Sequence, residues 1–422
     1  MLSHATRAQI AIIGAGYTGL SAALHLAQAG RDVVVVEAAT IGAGASGANG
    51  GQVIPGLKHD PDTLESMFGP ALGPQLVATV AAGPDLVFEL IRAHRIECDA
   101  VRTGWIQPAA SPDALGLLAA RAKQWQRRGA AVEVLTRDEA AQLTGTQRYW
   151  GAWLDRRGGN VQPLSYVRGL ARAAIGAGAR VFSQSPAVTL TPAGHEWRIT
   201  TPRGCILSEQ VIVATNAYTE ALHDSLRRSL IAVPSLQVAT APLPPALRAT
   251  ILPQGQAASD TCHLLRYFRM DATGRFLMGT RGRFGEVSRA APPRHHARAI
   301  AEIYPQLSQL PLEYCWGGLV AMTRDHLPHL HQLAPGLLAG LGYNGRGVAM
   351  ATMMGRLLAH RVLGSSAQEL GFPVTPVRRI ALHRLSGLAV RTAVQLLRVR
   401  DALTRLREPL PAKDLHHVKS SP

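Results

Sequence analysis

Residues 10–37 read IAIIGAGYTGLSAALHLAQAGRDVVVVE, and this stretch decides the fold. Ile10 to Ile13 is a short β-branched run that stops at Gly14, after which Leu20, Ala23, Leu24 and Ala27 recur at helical spacing as far as Gly30. Asp32 to Val36 is a second strand, apolar at every position after the first, as suits a parallel strand covered on both faces. Strand, glycine turn, helix and strand make a βαβ unit. Within it Gly14, Gly16 and Gly19 form G-x-G-x-x-G, and Glu37 closes the second strand 18 residues after the last glycine. The same glycine pattern recurs at Gly42, in a loop, and at Gly340, where no acid is well placed. Only the first copy has the context of a dinucleotide site. There Gly14 permits the tight turn, Gly16 lets the backbone approach a pyrophosphate, and Gly19 lets helix and sheet pack closely; helix N–H groups face the phosphates. Ala15 and Thr18 belong to the same turn. Glu37, followed by Ala38, accepts hydrogen bonds from a ribose and repels a 2′-phosphate, which disfavours NADP.

The 422 residues, 47% hydrophobic and 17% charged, suit a globular protein of two or three compact units and exclude collagen, coiled coils and disulfide scaffolds. Cys98, Cys205, Cys262 and Cys315 are dispersed with no Cys-x-x-Cys pair, so neither a zinc cage nor a disulfide framework is written here; no metal site and a reducing cytoplasm are expected. No run of about 18 uncharged apolar residues occurs, so no transmembrane helix is expected. Arg7 followed by Ala8 to Ala23 imitates a secretory signal, but the glycine turn and second strand favour the βαβ reading.

The formal charge is +16, and residues 378–422 alone carry ten Lys/Arg against three Asp/Glu. Leu385, Ala389, Thr392, Leu396, Val399, Leu403 and Leu406 alternate spacings of four and three, while Arg384, Arg391, Arg398 and Arg405 repeat every seven. This predicts a basic amphipathic helix that either packs on the protein's own surface or makes a peripheral contact with anionic membrane. Interleaved aromatics and recognition motifs are lacking, so nucleic acid is not expected as a partner.

Residues 60–150 read as largely helical with a strand near Arg102 to Pro108, and Thr136 with Glu139 as a capping box. Helix then strand recurs over 163–182; Gln210 to Thr215 and Leu337 to Ala339 are further buried strands. Short segments punctuated by Pro and Gly between about 230 and 320 suit an antiparallel sheet. The fold class is therefore α/β with an α+β second domain: a Rossmann-like dinucleotide-binding domain (8–95, 150–220 and 322–375), an antiparallel-sheet second domain (96–149 and 221–321), and a tail (376–422).

The loop GAGASGANGGQ at 42–52 is too glycine-rich for a core element and lies where the crevice at the strand ends falls. With IIGAGYTGLSAA at 12–23, VATNAYT at 213–219, WGGLVAMTRDHLP at 316–328 and GYNGRGV at 342–348, it resembles the FAD-dependent D-amino-acid oxidase superfamily, the glycine and sarcosine oxidase relatives, and most closely the γ-glutamylputrescine oxidase-like branch. The likeness covers about residues 8–375. It implies non-covalent FAD. Ser46, Asn49, Gly50, Gly51 and Gln52 would lie at the flavin loop, Val188 would meet the adenine through its backbone, and Thr215 and Asn216 would end a strand beside the cofactor. Gly342, Asn344, Gly345 and Gly347 would present a helix N-terminus to the flavin, where positive potential stabilises charge building on reduction. The family often carries arginine where this chain has Ala48.

The resemblance implies amine oxidation: hydride leaves the carbon beside a neutral amine for flavin N5, the imine is hydrolysed, and electrons pass to O2 or to an acceptor protein. The substrate would be a small amine or amino acid. A membrane-docked dehydrogenase feeding a respiratory acceptor, and a non-catalytic flavin-binding partner, are the alternatives. Residues 261–285 resemble the family's substrate wall. There Arg281 is a candidate carboxylate clamp, against the alternative of a surface arginine, and Tyr267 and His263 are candidates to orient or deprotonate the amine, against structural roles. No lysine occurs between Lys123 and Lys413, which leaves Lys58 as the candidate for assisting oxygen, against a solvated loop lysine. Cys315 reads as a buried cysteine rather than a covalent flavin attachment.

Overall fold

The computed structural model describes residues 1–281 and 294–383, together with Gly387, Thr392, Leu396 and Leu397. Strand β1 (Ala5–Ile13) runs through the middle of the first sheet, parallel to β2 (Val33–Val36) on one side and to Cys205–Val213 on the other. Arg180–Phe182 lies beyond β2 and Leu337–Leu341 beyond Cys205–Val213, both parallel, and His329–Ala334 closes the edge antiparallel. All four valines of β2 are buried, because helices cover one face and a second apolar layer the other. Val33 and Val35 face helix α1 (Tyr17–Gln28) and the helices Pro163–Gly176 and Gly347–Val362; Val34 and Val36 face Ile199, Leu226 and Leu230. Thr189–Ala193 and Glu196–Thr200 form a hairpin on the first half of Cys205–Val213, an antiparallel addition absent from the sequence reading.

The second sheet has the order Leu312–Thr323, Leu230–Pro242, Arg275–Arg281, Tyr267–Met270, Ala257–Ser259, Trp105–Pro108, Ala152–Asp155, Val132–Leu135. It is antiparallel except where Ala257–Ser259 lies parallel to Trp105–Pro108. Pleat alternation gives its long strands two chemistries. Val238, Met278 and Phe268 point into a core with Ile300, Ile303 and Tyr304, whereas Gln237, Gly279, Tyr267 and Trp316 share the opposite face. The domain crossing expected at residue 150 falls later. Ala152–Asp155 pairs between Trp105–Pro108 and Val132–Leu135 in the second sheet, and Trp153 packs edge-on to Trp105 with centroids 5.7 Å apart.

The capping box at Thr136 and Glu139 is present, opening the helix Arg137–Thr144. Past the closing helix the chain crosses the surface to residue 383, held by the Ile380 amide on the Arg228 carbonyl and by His383 on that of Leu230. The amphipathic helix expected from Leu385 to Leu406 lies, isolated positions aside, outside the described residues. Among the described residues no helix is long and apolar enough to cross a membrane.

Gly355 lets the helix Gly347–Val362 lie directly on α1, since a Cβ there would stand 2.4 Å from the Thr18 carbonyl. Gly355→Val should therefore destabilise the protein by about 1–3 kcal/mol through overpacking, read as a lower urea midpoint at unchanged slope.

Candidate functional site

The turn between β1 and α1 is built as its glycines require. Gly14 has φ +106°, a region that penalises a side chain, and a Cβ on Gly19 would stand 1.9 Å from the Gly14 carbonyl oxygen. Glu37, at the end of β2, reaches back so that its carboxylate accepts the Ala15 amide at 2.8 Å and the Ala39 amide at 3.1 Å. The acid and the glycine turn are thus one unit, with Ala38 exposed beside them. Ser185 donates its amide to the Glu37 carbonyl, which brings the chain leading to Val188 alongside. Val188 is exposed, and its own amide is taken by the Thr200 carbonyl. Thr18 is buried, its hydroxyl 2.6 Å from the Tyr343 hydroxyl, so it ties α1 to the 342–348 segment rather than offering its oxygen to a phosphate.

Residues 42–52 bridge the two sheets. The one-turn helix α2 (Ala45–Ala48) sets the Ser46 hydroxyl to accept the Tyr17 amide at 3.0 Å. Asn49 is consumed within the loop: its amide nitrogen donates to the Tyr17 hydroxyl and the Ala45 and Ser46 carbonyls, and its oxygen accepts the Gly51 amide. The Gln52 side chain, 7% exposed, donates to the carbonyls of Ala258 and Phe268 and accepts from Ser259 and Trp105. Arg269 donates to the Gly50 carbonyl at 2.8 Å, and burial pushes its guanidinium down to about 10. These side-chain bonds position the backbone of the loop.

A second cluster forms where Cys205–Val213 and Leu337–Leu341 end. Asn216, at φ +48°, accepts the Gly342 amide at 3.0 Å, and the Thr215 and Thr219 hydroxyls pair at 2.8 Å. Asn344 binds the Thr323 amide and the Gly342 carbonyl. Gly345 and Gly347 differ from Gly342 and from the glycines of the flavin loop, because a Cβ on either would meet nothing within 4 Å. They leave an open cradle at the N-terminus of the helix Gly347–Val362, which no side chain of its own N-cap residue caps. An open helix terminus beside a parallel-sheet glycine turn fits a dinucleotide whose ring system extends toward the second sheet.

The face of the second sheet turned to this loop is its polar one. The Tyr267 ring lies over Gly279 and against Gly50, its hydroxyl bonded to the Ser235 hydroxyl; burial pushes the phenol up to about 12. In the adjacent row Arg281 stands opposite Ser235, itself opposite Gly318. Burial lowers the Arg281 guanidinium, and no carboxylate partners it among the described residues. Lys58 lies in electrostatic reach of Arg281, Arg346 and Arg121. Solvent reaches its side chain, yet the recess thins its hydration, and desolvation with those three cations pushes the ammonium down to about 8. Arg346 is buried, donates to the Pro55 carbonyl and lies over the Trp105 ring, with its guanidinium pushed down to about 9. His263 is exposed in the turn before Tyr267–Met270, at the Arg281 end of the sheet.

Sequence reasoning missed Ser235 and Gln237, although two polar residues at period two within an apolar strand were the available signal. Arg346 was hidden inside a glycine motif. Cys315 lies opposite Val238 and packs toward the sheet's apolar core, on the face away from the flavin loop. Among the described residues no group of acidic, His and Cys side chains could hold a metal.

Residues 9–361 match the family described as DAO, FAD dependent oxidoreductase. The chain is 30% identical to the probable oxidoreductase OrdL of Haemophilus influenzae, covering 95% of this chain and 93% of that one. It is 31% identical to the gamma-glutamylputrescine oxidoreductase of Escherichia coli, covering 89% and 88%. Its fold matches the crystal structure of glycine oxidase from Geobacillus kaustophilus with a TM-score of 0.72 at 24% identity, over 89% of this chain and 99% of that one.

Two predictions follow from this geometry. Glu37→Ala removes the anchor of the glycine turn and should weaken FAD retention tenfold or more, about 1.4 kcal/mol or above, measured by recovery of flavin fluorescence on dilution. Lys58 titrates near 8 folded against 10.5 unfolded, so the unfolded chain binds more protons between those values and stability rises with pH across that window. Lys58→Met should flatten the rise, seen in urea midpoints from pH 8 to 10; solvent access keeps the effect well below that of full burial.

Proposed function

The chain belongs to the FAD dependent oxidoreductase family, as a flavoprotein that holds FAD non-covalently and oxidises amine or amino-acid substrates, and from that premise we propose that its own substrate is an amine bearing a carboxylate. The observation that carries this reading is Arg281, a partly buried cation without a carboxylate partner among the described residues, on the sheet face opposite the flavin loop. Lys58 and Arg346 reinforce the same sign of potential. Simple alkyl diamines are repelled by such a recess. Amino acids, N-methyl amino acids and γ-glutamyl amines, the class named by the E. coli relative, satisfy it.

When bound, FAD supplies the two-electron acceptor for the hydride that leaves the carbon beside the amine. Arg281 holds the carboxylate by paired hydrogen bonds. Tyr267, kept protonated and aimed by Ser235, walls the reacting carbon and offers a hydrogen-bond donor. His263 stands at the entrance. Lys58 supplies positive charge where oxygen is reduced, and O2 is the acceptor in this reading, in the cytoplasm. The membrane-docked alternative rests on the basic composition of residues 378–422 alone.

The test is an anaerobic screen of amino acids, N-methyl amino acids, γ-glutamyl amines and plain alkyl amines for bleaching of the bound flavin. Carboxylate-bearing amines should bleach it and, in air, yield peroxide; equal bleaching by plain alkyl amines would refute the reading. Arg281→Met should raise KM tenfold or more, with a smaller change in the saturated bleaching rate.

A further inference from the structure

One polar side chain of the second sheet is buried with no partner. Gln237, on the strand Leu230–Pro242, is 2% exposed, and among the described residues nothing hydrogen-bonds its carboxamide. Leaving such a group dry and unpaired is destabilising, and folded proteins keep few of them. The polar groups that could answer it are engaged elsewhere. The Ser235 and Tyr267 hydroxyls bond each other, the indole of Trp316, opposite Gln237, donates to the Ala48 carbonyl, and the Gln52 carboxamide is saturated by the second sheet. Two glycines fix where Gln237 reaches. Its Nε2 lies 2.4 Å from the place a Cβ on Gly279 would take and 3.4 Å from that of a Cβ on Gly50, with Tyr267 ring atoms against both places. The carboxamide, the Tyr267 ring and the flavin loop therefore meet at one point, and Arg269, bonded to the Gly50 carbonyl, holds the loop there.

A dinucleotide seated on the glycine turn and the open terminus of Gly347–Val362 brings its ring to the flavin loop and this sheet face. We propose that the Gln237 carboxamide is the second sheet's hydrogen-bond partner for the ring of bound FAD, a role that rests on the cofactor and not on the identity of the substrate. The ring edge calls for this chemistry. It alternates carbonyl acceptors with an N–H donor, and N5 beside them accepts before hydride arrives and donates afterwards. An ammonium or guanidinium only donates and a carboxylate only accepts, whereas a carboxamide does both, and a half-turn of its terminal torsion exchanges the two. Gln237 thus keeps a bond to the ring in either redox state and adds no charge. Tyr267 is another donor on this face, but its hydroxyl is held by Ser235, and its ring packs beside the carboxamide instead. Gly279 lacks the side chain that would push Gln237 off this point.

The test uses the FAD-loaded protein and reduces it at an electrode, so no substrate enters and the outcome is independent of the carboxylate-bearing amine proposed above. Oxidised-minus-reduced infrared spectra are recorded for the wild type, for the wild type grown with glutamine labelled with carbon-13 at the side-chain carbonyl, and for Gln237→Leu and Gln237→Met. The wild type should show a carbonyl band that moves with the label and is missing from both variants. The flavin carbonyl bands should rise in frequency in the variants as a hydrogen bond is lost, and the FAD dissociation constant should increase about three- to tenfold. No labelled band in the wild type, or flavin bands identical in the wild type and the variants, overturns the proposal. Weaker FAD binding with unmoved flavin bands marks a packing role and overturns it as well. Should both variants fail to fold, the presence or absence of the labelled band in the wild type decides.

Discussion

A buried guanidinium holds the two halves of this protein in register: Arg269, from the second sheet, donates to the Gly50 carbonyl of the flavin loop and to the Met270 carbonyl of its own strand. A cation this desolvated tolerates little displacement, because losing the Gly50 acceptor would leave part of a buried charge unpaired. Gln52 repeats the arrangement one step along, with its donors and acceptor all used on the second sheet. The loop is thereby fixed from the side that carries the substrate wall, while Asn49 fixes it from within. Distances between cofactor and substrate inherit the stiffness of this clasp.

Charge in the site follows from the same constraint. Its acids are spent, Asp325 on His329 and the Leu327 amide, Asp60 on Arg121 and Asp155 on Arg157, and the recess collects cations from separate parts of the chain: Lys58 after the flavin loop, Arg281 on the second sheet and Arg346 at the closing helix. Ala48, where related proteins often carry arginine, adds none. Its methyl lies close to Gly318, and the Ala48 carbonyl receives the Trp316 indole N–H at 3.1 Å. The position is filled by contact between α2 and the second sheet, and positive potential is delivered from the opposite wall.

Much of the fold was legible because its signals are local. Val33 to Val36 declare a doubly covered strand, and the spacing from Gly14 to Glu37 declares the turn. The second sheet was legible as short punctuated strands, but Ala152–Asp155 pairs with two strands that both lie upstream of the expected crossing at 150, and pairing is not a local property. In the site, residue types were found but roles were not. Asn49, Gln52 and Thr18 sit where the motifs place them, yet their side chains hold other parts of the protein, which only three-dimensional contact reveals.

The first sheet carries a further implication through its threading. Ala5–Ile13 pairs with Cys205–Val213, which in turn pairs with Leu337–Leu341, so the layer that seats the coenzyme is completed only by residues far downstream of its first strand. A ribosome adding residues in order exposes the opening glycine turn long before its last supporting strand exists. The nascent polypeptide must therefore wait, half-assembled, until that supporting strand has been made, and a message cut short before it yields a product with a nucleotide grip but no floor beneath the ring.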